Sequence, residues 1–95
     1  MSFSNTLLLN KKILITGAGK GIGKACALLA AKCGASVIAV ARTKSDLDEL
    51  AKLYPNNIEC WNMDVTDDAF LNRVKSLTTL HGLINNVGLN RVAPM

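Results

Sequence analysis

Between Thr16 and Gly23 the sequence reads TGAGKGIG, four glycines and a lysine in eight residues, directly after the apolar run Ile13-Leu14-Ile15. Glycine loses more backbone entropy on folding than any other residue, so such a cluster implies conformations or close approaches that a Cβ would forbid. Between a strand and a helix it would present backbone amides and a positive helix end to a phosphate. Two known phosphate motifs fail on particular residues. A Walker loop ending in Gly23-Lys24 needs glycine at position 18 and Ser or Thr at 25, and both are alanine. A GxGxxG fingerprint begun at Gly17-x-Gly19 meets Ile22 where its third glycine belongs. The spacing that fits is G-x-x-x-G-x-G, at Gly17, Gly21 and Gly23.

The flanking segments have to place this loop. Residues 11–16 form a short β-branched and leucine run, suited to a strand buried on both faces. Residues 21–33 carry Ile22, Cys26, Leu29, Ala30 and Cys33 at helical spacing, and Gly34 stops the run as a C′ glycine. The alanines of this helix permit close packing on a sheet. Residues 35–41 predict a second buried strand, followed by a helix with Ser45 as N-cap, Asp46, Asp48 and Glu49 near its positive end, and Leu47, Leu50 and Leu53 as its apolar stripe. Pro55-Asn56-Asn57 ends it. A third strand is expected over 58–65, a third helix from Thr66 or Asp67 with Phe70, Val74 and Leu77 inward, and a short fourth strand over 82–86. Strands alternating with helices of this length imply βαβ units and right-handed crossovers. The expected fold is α/β, the N-terminal half of a doubly wound, Rossmann-like parallel sheet in strand order 3-2-1-4.

Composition narrows the function classes. With 95 residues, 49% apolar and 19% charged, the chain reads as one small globular domain, residues 1–95, rather than a disordered segment. Its apolar charge-free stretches 25–31 and 33–41 fall short of the roughly 20 apolar residues a membrane span needs. The N-terminus lacks a secretory pattern, so an intracellular, cytoplasmic protein is expected. Net charge is +4, but the eleven basic residues are scattered and little aromatic surface accompanies them, which argues against nucleic acid. Cys26 and Cys33 would lie about 10 Å apart along one helix, too far to bridge, and with Cys60 they make no metal-ligand spacing. Trp61 and Met63 alternate along a strand and read as core.

The threonine-led glycine pattern resembles the glycine motif of the short-chain dehydrogenase/reductase family. The resemblance extends to Asp64-Val65 at the end of the third strand and to Asn85-Asn86-Val87-Gly88 after the fourth, similar to the family's NNAG motif with valine for alanine. It covers nearly the whole chain. Residues 35–50 look most like the L-xylulose and carbonyl reductases, and bacterial 3-oxoacyl carrier-protein reductases share much of the same half. The resemblance implies a cofactor site built from Gly17, Gly19, Lys20, Gly21, Ile22 and Gly23 of the loop. Arg42, Thr43, Asp64, Val65, Asn86 and Gly88 complete it.

The end of the second strand bears on which dinucleotide is held. An NAD-preferring fold places an acid about 20 residues past the glycine loop, on the ribose 2′-hydroxyl, whereas a nearby Arg accommodates the 2′-phosphate of NADP. Here that region ends Ala41-Arg42, with no acid before Asp46. A guanidinium grips a phosphate bidentately, and Lys20 can approach the same group. The expected cofactor is therefore NADP, against the alternative that Arg42 is a solvated loop cation. Asp64 has two readings, a contact to the adenine by resemblance or a cap for the segment that begins near Thr66. Asn86 and Gly88 either line the cofactor or tie central strands together. His81, where many relatives carry Asp, reads as packing.

Relatives of this kind transfer hydride with an Asn, a Ser and a Tyr-x-x-x-Lys motif placed beyond the NNAG segment. The sole tyrosine here, Tyr54, is followed four residues later by Ile58. The resemblance thus implies the NADP-binding part of a reductase acting on a carbonyl or alcohol, with no catalytic residue or metal ligand assignable. The alternative is a non-catalytic nucleotide-binding or interaction fragment. An uncovered fourth strand predicts poor stability alone, with self-association or pairing with another chain.

Overall fold

The computed structural model describes residues 7–86. Seven elements alternate: β1 (Lys12–Thr16), α1 (Gly21–Lys32), β2 (Ser36–Ala41), α2 (Lys44–Leu53), β3 (Ile58–Asn62), α3 (Asp68–Lys75) and β4 (Gly82–Asn85). The strands form one parallel sheet in the order β3-β2-β1-β4, as the βαβ pattern predicts. Ile15 stands beside Ala39 on one side and Ile84 on the other.

The sheet is packed on both faces. Ile15, Val37 and Ala39 meet α1 and α2, while Leu14, Ile38, Val40 and Trp61 meet Phe70 and Val74 of α3. Successive residues of β1 and β2 thus enter different cores, which is why both strands read as continuous apolar runs. Arg73 covers the Trp61 ring at 4.4 Å, Phe70 meets it edge-on at 6.4 Å, and the indole Nε1 donates to Glu59 at 2.7 Å.

Several local expectations need correction. The face of α1 on the sheet is the small-residue stripe Gly23, Ala27, Ala30 and Ala31, whereas Ile22 is 69% and Leu29 47% exposed. Small residues let the helix start almost on top of the strand end, and the larger stripe rotates to the side. There Cys26, Leu29 and Cys33 line a shallow apolar groove with Leu7, Leu8, Ile13 and Ile84. The N-cap of α2 is Thr43 rather than Ser45, and Leu53 is exposed because the helix ends as it leaves the core. β3 stops at Asn62, since the Asp64 turn ends pairing, and α3 begins at Asp68 after the N-cap Asp67. At the other end of α1, Gly34 has φ +94°, and the amides of Gly34 and Ala35 donate to Ala31 and Ala30 in a Schellman closure.

His81 has a structural role: its amide donates to the Lys12 carbonyl and its Nδ1 accepts from the Lys12 amide, extending the β1–β4 ladder. The three cysteines are free thiols. Burial, aided by Asp48, pushes the Cys60 thiol up, and its Sγ donates to the Leu47 carbonyl at 3.4 Å. Leu83 and Ile84, on opposite faces of β4, are both exposed, and among the described residues β4 pairs only with β1.

Candidate functional site

The loops that follow β1, β2 and β3 converge at the carboxyl ends of the strands on a cleft of about 420 Å³. Its size falls within the range of small-molecule sites, and an open α/β sheet binds ligands at this end, where the strand order reverses. Here the reversal is at β1, flanked by β2 and β4.

The glycine loop is held by backbone contacts. Gly17 turns the chain out of β1 at φ +63°, and the amide of buried Ala18 donates to the Val40 carbonyl at 3.0 Å, pinning the loop to β2. A Cβ on Gly23 would fall 2.1 Å from the Gly17 carbonyl oxygen and 2.8 Å from Asn86 Nδ2. Only glycine permits α1 to begin that close to the strand end. Gly21 is different: φ is +58° and nothing lies within 4 Å of a Cβ placed there, so conformation rather than space requires it. Gly19 is crowded by a side chain, since its Cβ would meet Asp46 Cβ at 2.9 Å.

The asparagine pair after β4 locks this arrangement. Thr16 Oγ1 donates to Asn85 Oδ1 at 2.8 Å and accepts from the Asn86 amide at 3.0 Å, and Asn86 Nδ2 donates to the Gly17 carbonyl at 3.2 Å. Asn86 is buried and also lines the cleft, so it both ties the strands and faces the cavity. The threonine that leads the motif thus has a definite task, joining β1 to the β4 segment.

Helix α1 starts beside the cleft with its positive end free of acids: the first turn carries no Asp or Glu, and the N-cap Lys20, which lines the cleft, makes no side-chain cap bond. The first amides of a helix have no intrahelical acceptor, so this end can take an external anion. α2 and α3, by contrast, carry Asp46 and Asp68 in their first turns. Lys20 and Arg42 both line the cleft, as do Thr43, Asp64 and Val65. Lys20 Nζ stands 3.8 Å from Asp46 Oδ2. Asp64 Oδ1 accepts from the amide of Thr66 at 2.9 Å and from its hydroxyl at 2.8 Å. Those two bonds, helped by Arg42, hold the Asp64 carboxyl below the ordinary carboxylate value. Asp64 therefore caps a turn while its carboxylate remains in the cleft wall.

Of the residues expected at a cofactor site, Gly17, Gly19, Lys20, Arg42, Thr43, Asp64, Val65 and Asn86 are brought to one cavity. Gly21, Ile22 and Gly23 form the first turn of α1 beside it and are not in its wall. Gly88 lies outside the described residues. Val40, Ala41, Asp46, Met63 and Thr66 also line the cavity and were not expected there. The acid four positions after Arg42 was the available signal for Asp46. No group of three or more potential metal ligands exists among the described residues, and no helix there is long and apolar enough to cross a membrane.

Comparison with known proteins gives a consistent picture. The sequence profile of the short chain dehydrogenase family matches residues 11–95. L-xylulose reductase of Mus musculus is 35% identical over 88 residues, which cover 92% of this chain and 36% of that protein. The 3-oxoacyl-acyl-carrier-protein reductase of Thermotoga maritima is 41% identical over 91 residues, covering 87% and 37%. The chain thus spans little more than a third of the length of these relatives. Among solved structures, a putative short chain dehydrogenase from Pseudomonas syringae superposes with a TM-score of 0.76 at 29% identity, over 90% of this chain and 40% of that one. Another, from Shigella flexneri and complexed with NADP, superposes with a TM-score of 0.75 at 25% identity, over 88% of this chain and 40% of that one.

Proposed function

The chain belongs to the short-chain dehydrogenase family, and from that premise we propose that its cleft is the NADP(H) site of an oxidoreductase acting on a carbonyl or alcohol. The observation that carries the reading is the pair of cations, Lys20 and Arg42, in one cavity at the end of a β2 strand that finishes without an acid. A carboxylate there would accept a ribose 2′-hydroxyl and repel a 2′-phosphate; a guanidinium does the reverse.

The residues divide the work by chemistry. The acid-free N-terminus of α1 faces the pyrophosphate with fixed backbone dipoles. Lys20 and Arg42 hold the 2′-phosphate, and Thr43 adds a hydroxyl beside them. Asp64, kept ionised by the Thr66 turn, accepts from the adenine amino group, and Val65 supplies an apolar wall. Asn86 borders the cofactor's other side, a role the family resemblance also gives Gly88. The bound cofactor supplies the hydride. No residue of this chain is assigned as the proton donor, and the carbonyl-reducing step is ascribed to the Ser and Tyr-x-x-x-Lys residues that the family carries beyond this region.

The test is a fluorescence titration of the chain with NADPH and with NADH. NADPH is expected to bind about tenfold or more tighter, the ratio given by one additional charge-assisted contact of about 1.4 kcal/mol. Equal affinities, or a preference for NADH, would contradict the reading.

A further inference from the structure

The cleft that would take a 2′-phosphate also contains a carboxylate that no reading so far uses. Asp46 sits at the third position of α2, with Thr43 as the N-cap, the T-x-x-D spacing at which a carboxylate reaches back to its own helix terminus. Thr43 makes no side-chain cap bond, and the Asp46 carboxylate is turned across the cleft to Lys20 at 3.8 Å. The two partners are unequal. The Asp46 side chain is 18% exposed and rests on Gly19, whereas the Lys20 side chain is 81% exposed. Asp46 is therefore the fixed member and Lys20 the movable one.

Resting on the NADP(H) reading, we infer that Asp46 is a specificity-determining residue that acts through Lys20, pairing with the ammonium and competing with the 2′-phosphate for it. Lys20 is a strongly hydrated point charge on a flexible stem, so it can pair with one anion or move to another. Arg42 has no ion pair within 4 Å among the described residues, so its guanidinium is open to the phosphate. Asp46 thus lowers the return from Lys20 on binding and sets how strongly NADPH is preferred. A ligand without the 2′-phosphate leaves the Lys20–Asp46 pair in place and does not sense it.

The substitution Asp46→Asn keeps the shape that rests on Gly19 and removes the charge. Asp48→Asn is the control, because Asp48 pairs with Lys44 one turn along on the same helix, at 3.3 Å, and is outside the cleft wall. Isothermal titration of the full chain with NADPH and with NADH is expected to give NADPH binding roughly three- to tenfold tighter in Asp46→Asn, the scale for one solvent-screened charge. NADH should shift by less than about twofold, as should both ligands in Asp48→Asn. In a Lys20→Gln background the Asp46→Asn gain should largely vanish. Weaker or unchanged NADPH binding in Asp46→Asn, an equal gain in Asp48→Asn, or a gain that survives without Lys20 would overturn the inference while leaving the cofactor reading intact. An unsubstituted chain that binds neither dinucleotide, or both equally, would overturn both.

Discussion

The two junctions that frame the cleft are built on different physics. The β1–α1 junction is held by backbone: the Gly17 carbonyl pressed against the first turn of α1, the Ala18 amide on Val40, and the Thr16–Asn85–Asn86 bonds. The β2–α2 junction is held mainly by side chains. Its residues Arg42, Thr43 and Lys44 are exposed, Asp46 rests on Gly19 and pairs with Lys20 at 3.8 Å, and Lys44–Asp48 is a surface pair one helical turn long. The first therefore fixes where a diphosphate could sit, and a single added methyl disturbs it. The second, on the proposed reading, sets which charge is welcome there, and its side chains can change without disturbing the fold.

That contrast is broken most severely at Gly23. Replacing it by alanine drives a Cβ to 2.1 Å from a backbone oxygen that cannot withdraw, and the chain should lose roughly 3 kcal/mol or more of stability. Gly21→Ala adds a methyl into open space and pays only for φ +58°, about 1 kcal/mol. Urea midpoints of the two variants should differ in that order, and equal losses would mean the loop is held by conformation alone.

A smaller effect sharpens the charged side. The Asp64 carboxyl is held low by Thr66, so its folded value lies beneath its unfolded one. Its contribution to stability is complete above the unfolded value and fades as the pH falls through the depressed folded one. The gap in melting temperature between the unsubstituted chain and Asp64→Ala should be present at neutral pH and narrow in acid. A gap constant across that window would show that the Thr66 bonds do not depend on ionisation.

The same contrast explains what could be read from the sequence. Strand order, the glycine-bearing turn and the glycine stop at Gly34 were legible, because each follows from periodicity or from a backbone conformation tied to one residue type. Leu14 and Ile15, and Ile38 and Ala39, announced a sheet covered on both faces. The buried face of α1 was legible in its alanines and Cys33 but not at Ile22 and Leu29, which helical spacing also drew inward and the close approach at Gly23 leaves exposed. The cap of α2 fell on Thr43 instead of Ser45 because a strand ending at Ala41 leaves only two residues, Arg42 and Thr43, before the helix. Asp46 passed unnoticed as part of the cleft because its neighbour there, Lys20, is 26 residues away and on another loop.

On the proposed reading the exposed junction, through Arg42, chooses the phosphorylated cofactor. Arg42→Asp puts a carboxylate where β2 ends and leaves the β1–α1 junction intact. The measurement is the NADPH and NADH affinities of this variant beside those of the unsubstituted chain. NADPH binding is expected to fall roughly tenfold to a hundredfold, the span of a lost charge-assisted contact, while NADH binding changes little. Equal losses for the two dinucleotides would contradict it.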